Sequence, residues 1–180
     1  MIQKKAHIPR IGPLLRRFAE QASAVAIERV RAFAESQADE FRQAILDQNF
    51  EAFDAFPLRP ATLAAKMRAH VDLRVMVATG TYVDSIRSFR TLSSNRRNAR
   101  FHIGFHPRKL ARDYHGNITE ILLQDVARIQ EYGSVAAGIP ARPHWRPYRA
   151  VIGARAESER ERITRLVVWK LRSEVQKGLR

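Results

Sequence analysis

One long amphipathic pattern near the start of the chain constrains the fold more than any other feature. Between Pro13 and Asn49, apolar residues recur mostly at three- and four-residue steps, with charged residues between them. The apolar positions are Leu14, Phe18, Ala22, Ala26, Val30, Phe33, Phe41 and Ile45. This spacing predicts a single helix from about Pro13 to about Asn49. At ~1.5 Å per residue it would reach roughly 55 Å, so we expect it to need packing partners outside its own small domain or along a neighbouring subunit.

Proline and turn residues divide the rest of the chain into shorter elements. Phe50, Phe53 and Phe56 repeat every three residues, and we expect them to seal the end of the long helix into the core. The next predicted elements are a helix over 61–69, a turn or short helix over 82–85, and strands over 86–93 and 100–106. A second helix is predicted to begin at an Asn117–Glu120 capping box and to end at Gly133. A loop over 133–147 and a helix over 157–178 complete the prediction.

This order of elements predicts an α+β fold with a long N-terminal helix, a small antiparallel sheet with packed helices, and a C-terminal helix. The predicted divisions are a basic N-terminal arm over 1–13, the long helix over 14–56, an α+β core with a basic hairpin over 57–156, and the C-terminal helix over 157–180.

Positive charge is concentrated in a few stretches of the chain. The sequence has 32 Lys and Arg against 18 Asp and Glu, a net charge of +14, and residues 1–17 and 87–112 contain basic side chains but no acid. Such a distribution indicates acidic partners, either nucleic acid or complementary protein surfaces, and both remain open. The residues expected to make these contacts are Arg87, Arg90, Arg96, Arg97 and Arg100.

Aromatic residues are interleaved with this charge in the predicted hairpin. Phe89, Phe101 and Phe105 could stack on nucleic-acid bases while the arginines hold phosphates. Alternatively, the phenylalanines point into the core and the arginines into water, which the period-two alternation favours. Phosphate contact by the arginines is compatible with both interpretations.

The sequence offers little catalytic chemistry. It has no cysteine, which excludes disulfides, thiolate nucleophiles and cysteine-based zinc sites. It has no GxSxG, HExxH, Walker or dinucleotide-binding motif. His102 and His106 share one face of a strand, but the basic residues around them disfavour a cation. We therefore expect no catalytic, cofactor or metal site, a protein that is not an enzyme, and no membrane span, because no run of about 18 apolar residues occurs.

Four short sequence blocks, in order along the chain, are more specific than its composition. Residues 57–66 read PLRPATLAAK and residues 78–86 read ATGTYVDSI. Residues 129–134 read IQEYGS and residues 139–147 read IPARPHWRP. These blocks resemble the patterns PL-x-PAT-(L/I)-AAK, TG-x-(hydrophobic)-x-x-SI, (hydrophobic)-x-E-(F/Y)-G-(S/T) and (I/M)PARPF-(hydrophobic)-RP of the phage virion-morphogenesis family, which comprises tail-completion, neck and minor tail proteins. The chain departs from these patterns at Arg59, where the family commonly has a small polar residue, and at His144 and Trp145, where it has an aromatic and then an apolar residue.

The resemblance implies a structural virion protein that forms a ring and connects the tail to the head. Its expected partners are further copies of itself in a ring of six, the neighbouring tail-tube or terminator and head-connector proteins, and phage DNA. No membrane partner is expected. Its expected location is the neck or tail of a virion assembled in the bacterial host cytoplasm. The alternative function is a basic nucleic-acid-binding module.

The last two blocks also predict a subunit contact. The expected interface residues are Glu131, Tyr132, Pro140, Arg142, Pro143 and Trp145. Prolines restrict the loop around Arg142, whose planar five-donor group suits a carboxylate or backbone carbonyls. Glu131 is its candidate partner in the same or a neighbouring subunit, and a solvated arginine is the alternative.

Overall fold

A computed structural model describes residues 11–92 and 99–178 and has the predicted α+β class. Its helices are α1 (Ile11–Leu46), α2 (Glu51–Ala55), α3 (Pro60–Arg68), α4 (Thr81–Asp84), α5 (Leu123–Tyr132) and α6 (Trp145–Gly178). Its strands are β1 (Arg87–Leu92), β2 (Ala99–Gly104), β3 (Leu110–Arg112) and β4 (Ile118–Leu122). The N-terminal arm over 1–10 and the hairpin tip with Arg96 and Arg97 lie outside the described residues.

The predicted long helix is confirmed as α1, but only its C-terminal half reaches the core. Ala34, Ala38, Phe41 and Ile45 are buried there at three- and four-residue spacing, which places them on one face of the helix. Just beyond the helix, Gln48 has a left-handed backbone, with φ of 56°. Its side-chain amide donates to Ile45 and Val75 carbonyls and accepts from the Val75 N–H, so it ties the helix end to the following loop.

The centre of the core is a cluster of aromatic rings around Phe41. Its ring centroid lies 4.4 Å from that of Tyr148 and 4.3 Å from that of Trp145, both on α6. Phe50 and Phe53 are buried beside it, as predicted, whereas Phe56 is 47% exposed. The phenylalanine repeat therefore seals the helix end with two of its three rings.

The predicted antiparallel hairpin is confirmed as β1 and β2, and a second, unpredicted hairpin follows it. Strands β3 and β4 pair antiparallel where the sequence predicted the start of a helix at a capping box. That prediction is wrong because the Asp113 carboxylate accepts the Asn117 backbone N–H at 2.9 Å and forms a tight turn between the strands. The helix α5 begins later, at Leu123, and ends before Gly133 as predicted.

The last helix begins at Trp145 rather than near the predicted Glu157. Pro147 lies within its first turn, where a missing N–H leaves no hydrogen bond unmade. Away from the core, the two long helices are incompletely covered: no residue of 16–33 in α1 or of 149–176 in α6 is buried. Val168 and Trp169 on α6 are among the exposed apolar residues.

Candidate functional site

The Glu131 carboxylate, near the end of α5, caps the start of α6. It accepts hydrogen bonds from the backbone N–H groups of His144, Trp145 and Arg146 at 2.9, 3.0 and 3.1 Å. It also accepts one from the Arg146 side chain at 2.8 Å. The first N–H groups of a helix have no partner within it, and a carboxylate there is favoured by the helix dipole. Glu131 is 4% exposed, so this cap is part of the interior.

A chain of side-chain hydrogen bonds continues from this cap through His144, which is fully buried. Its Nε2 lies 2.7 Å from the Tyr82 hydroxyl, and its Nδ1 lies 2.9 Å from the Arg142 carbonyl oxygen. The Trp145 indole N–H donates to the same Tyr82 oxygen at 3.0 Å. A neutral imidazole that carries its proton on Nδ1 satisfies every group: it donates to the carbonyl and accepts from the tyrosine hydroxyl.

The Arg142 side chain points away from Glu131, to the segment before α3. It joins that segment to the loop before α6. Its guanidinium donates to the carbonyl oxygens of Phe56 and Pro57 at 2.6 and 3.1 Å. Its backbone N–H donates to the Gln130 carbonyl at 2.6 Å. The predicted pairing of Arg142 with Glu131 within the chain is wrong, because the Arg146 side chain binds that carboxylate. The predicted binding of backbone carbonyls by Arg142 is confirmed.

We call Tyr82, Glu131, Arg142, His144 and Trp145 the motif network.

Two more basic residues of the first block hold neighbouring loops. Arg59 donates to the Gly138 carbonyl at 2.5 Å, and Lys66 donates to the carbonyls of Asp72 and Arg74 at 2.9 and 2.6 Å. Lys66 is buried, which lowers the pKa of its ammonium group. Both side chains act on backbone carbonyls, so they position loops.

The electrostatics of the motif network follow from its burial. Burial raises the pKa of Glu131, but the hydrogen bonds from His144, Arg146 and Trp145 outweigh that effect and hold the pKa below its ordinary value. Burial lowers the pKa of His144 and raises the pKa of Tyr82, so both are neutral near pH 7. Among the described residues, every buried side-chain nitrogen or oxygen has a hydrogen-bond partner. A network satisfied in this way stabilises one packing arrangement.

The predicted interface residues fall into two groups. Glu131 and Arg142 are each 4% exposed, and Pro140, Pro143 and Trp145 are half-buried. Tyr132 is 64% exposed, and its ring lies 5.2 Å from the Arg146 guanidinium carbon. Three residues further along the chain, Val135 is fully exposed at 101%. The sequence did not predict Val135 as an interface residue. Of the predicted set, Tyr132 is therefore the residue with the most surface available to a second subunit.

The basic hairpin places its residues on two faces. Arg87, Arg90 and Arg100 are exposed, but Arg90 lies opposite Phe101 on one face and Arg100 lies opposite Thr91 on the other. His102 and His106 are both exposed, and the His102 ring stacks on Phe89 with centroids 5.7 Å apart. Over residues 11–92 and 99–178, no group of three or more His, Asp or Glu side chains is placed to hold a metal ion.

The sequence alone did not identify Tyr82 or His144 as partners. Their only signal was position, because each lies inside one of the blocks that carry the family resemblance.

No family model, curated protein or solved structure matches the chain. Within the described part of the chain, no helix has the length and apolar content needed to cross a bilayer.

Proposed function

We propose that this chain is a structural subunit of a tailed-phage particle, a ring-forming tail-completion or neck protein that joins the tail to the head. The observation that carries the proposal is the convergence of the four sequence blocks. Tyr82 comes from the second block, Glu131 from the third, and Arg142 and His144 from the fourth, and Arg142 binds the first block at Pro57. The residues behind the resemblance thus form one physical unit rather than scattered matches.

The chemistry of this unit supports a role in binding. The ionisable side chains of the motif network bind backbone groups, one another or a neighbouring side chain such as that of Arg146, and His144 and Glu131 are buried. A catalytic acid or base must come within hydrogen-bond reach of a substrate, and these groups are occupied and covered. Their arrangement instead fixes the loop 139–144 and the start of α6, which gives the surface around them a defined shape.

The surface next to the motif network offers a subunit contact. Tyr132, the last residue of α5, and Val135, in the loop three residues beyond it, are exposed. Ile129, on α5, adds a partly exposed side chain. Apolar side chains exposed together in this way indicate an interaction site. A ring closes through heterologous contacts, in which this patch meets a different surface of the next copy. The long, incompletely covered helices α1 and α6 supply further surface for such a contact.

The test of the proposed function is the composition of phage particles produced from the source of this sequence. We expect the chain to be present in purified virions in a fixed number of copies per tail. Particles made without it should accumulate as separate heads and tails, which electron microscopy distinguishes. Normal, infectious particles that lack the chain would contradict the proposal.

A further inference from the structure

We propose that the outer face of the β1–β2 hairpin is a nucleic-acid-binding surface, with Arg87 and Arg100 on phosphates and the stacked rings of Phe89 and His102 against a base. The proposal concerns the isolated protein and does not rest on the proposed role in a phage particle. It selects one of the two acidic partners that the charge distribution left open.

The strand register divides the hairpin into two faces. Residues directly opposite each other in an antiparallel pair lie on the same face. Phe89 lies opposite His102, Arg87 opposite Gly104, and Thr91 opposite Arg100, and these pairs form the outer face. The inner face carries Ser88 opposite Ile103 and Arg90 opposite Phe101. An aromatic–imidazole pair is therefore flanked along the hairpin by one arginine on each side.

The two faces differ in what covers them. On the inner face, Phe101 and Ile103 border a space that is lined by α1 and α6 residues such as Phe33 and Ile163, and His102 lies at its border as well. On the outer face, Arg87, Arg100 and His102 are exposed, and Phe89 is half-buried. The rings of Phe89 and His102 are stacked, with centroids 5.7 Å apart and planes inclined by 20°. Thus the Phe89–His102 stack is on the open side of the sheet, although the alternation of residues favoured buried phenylalanines.

The charge of the outer face is not neutralised by any described residue. Residues 87–112 contain no acid, and neither Arg87 nor Arg100 forms an ion pair with a described residue. The Arg87 side chain donates a hydrogen bond to the Asp84 carbonyl at 3.4 Å. Some exposed arginines on the long helices do form ion pairs, such as Arg31 with Glu35 and Arg165 with Glu161. With no ion pair to a described residue, the guanidinium groups of Arg87 and Arg100 are available to an external anion.

The stacked rings favour nucleic acid over an acidic protein as that anion. Every base has a flat π-face that stacks on aromatic side chains, worth about 1–3 kcal/mol per base, while arginines track the phosphates. An acidic peptide would use the arginines but would gain little from a phenyl–imidazole stack. The flat rings lie between two cationic side chains, and a single-stranded nucleic acid offers bases to stack on the rings and phosphates to pair with the cations.

The test measures binding of a fluorescent oligonucleotide of about 16 nucleotides by anisotropy, at salt concentrations from about 50 to about 200 mM. The full chain should bind the single strand, and affinity should fall with rising salt. The double variant Arg87→Gln, Arg100→Gln should weaken binding at least ~10-fold and flatten the salt dependence. Phe89→Leu, which keeps an apolar strand residue but removes the ring, should weaken single-strand binding at least ~5-fold and leave the salt dependence unchanged.

The controls separate this surface from net charge and from folding. Arg29→Gln with Arg68→Gln removes the same charge from exposed positions on α1 and α3 and should leave affinity within about twofold of the wild type. Thermal unfolding checks that each variant is folded. Equal weakening by the control pair, or unchanged binding by both hairpin variants, would overturn the proposal. So would tight binding of poly-glutamate that is unaffected by Phe89→Leu, since that outcome identifies an acidic protein as the partner.

Discussion

The Glu131 carboxylate and the backbone N–H of His144 are 2.9 Å apart, and this contact joins the end of α5 to the beginning of α6. It links residues from the third and fourth sequence blocks through a buried cap within one chain. The same carboxylate accepts from Trp145 and Arg146, so one side chain supports the whole first turn of a 34-residue helix. Several measurable consequences follow from this geometry.

Replacing Glu131 with alanine should destabilise the protein by about 3 kcal/mol or more. The change leaves three buried or half-buried backbone N–H groups of the first turn without their acceptor and removes the partner of the Arg146 side chain. Urea unfolding measures the effect. Glu120→Ala, an exposed carboxylate on β4, should stay within about 0.5 kcal/mol of the wild type. Equal stability of the two variants would contradict the proposed cap.

Replacing Arg142 with alanine should lower the free energy of unfolding by about 3 kcal/mol. Because Arg142 is buried within its own chain, its loss should weaken the isolated fold itself. The change leaves the Phe56 and Pro57 carbonyls without their donor. Arg142→Lys should recover only part of the loss, since an ammonium group lacks the planar fork that reaches both carbonyls. A stable Arg142→Ala monomer would show that these contacts contribute little.

The protein should lose stability as the pH falls below about 6.5, and His144 should account for part of that loss. Burial lowers the pKa of His144 in the folded state, so the unfolded chain binds more protons in this range. The contribution is complete above the unfolded pKa and declines as the pH falls toward the folded pKa. Comparing urea unfolding of wild type and His144→Gln at pH 7.5 and 5.5 isolates it. A pH dependence identical in the two proteins would refute the assignment.

Two glycines should respond in opposite directions to alanine. Gly133 has φ of 75°, and a Cβ there would lie 2.9 Å from both the Ala141 nitrogen and the Ile139 oxygen. Gly133→Ala should therefore destabilise the protein by about 2 kcal/mol. Gly153 lies within α6 with open space around it, so Gly153→Ala should stabilise by about 0.5–1 kcal/mol. Melting temperatures that move in the same direction for both variants would contradict this backbone argument.

The elements predicted from sequence were those whose signal is local. The spacing that buries Phe41 and Ile45 repeats along α1, and the alternation around Phe101 and Ile103 marks β2. The start of α6 was missed because its cap comes from Glu131, in a different helix, which no local pattern at Trp145 reveals. Strands β3 and β4 were missed because they are short and their turn at Asn117 resembles a helix cap.

The candidate site was predictable in location but not in contacts. The sequence blocks indicated that Glu131 and Arg142 belong together, and the fold brings their segments side by side. Which partner each one takes depends on distances of a few ångströms, and Arg146 lies closer to the carboxylate. The pairing of Tyr82 with His144 depends on tertiary folding across 62 residues, so residue type and spacing carry no signal for it.

The mass of the purified protein in solution tests the central claim, ring assembly, most directly. A closed ring of six chains predicts a particle of about 124 kDa, six times the 20.7 kDa of one chain, with sixfold symmetry in electron micrographs. Val135→Asp should shift that particle toward monomer by placing a charge in the proposed contact, whereas Leu73→Asp, at another exposed apolar position, should not. A single 20.7 kDa species at every concentration tested would contradict the account.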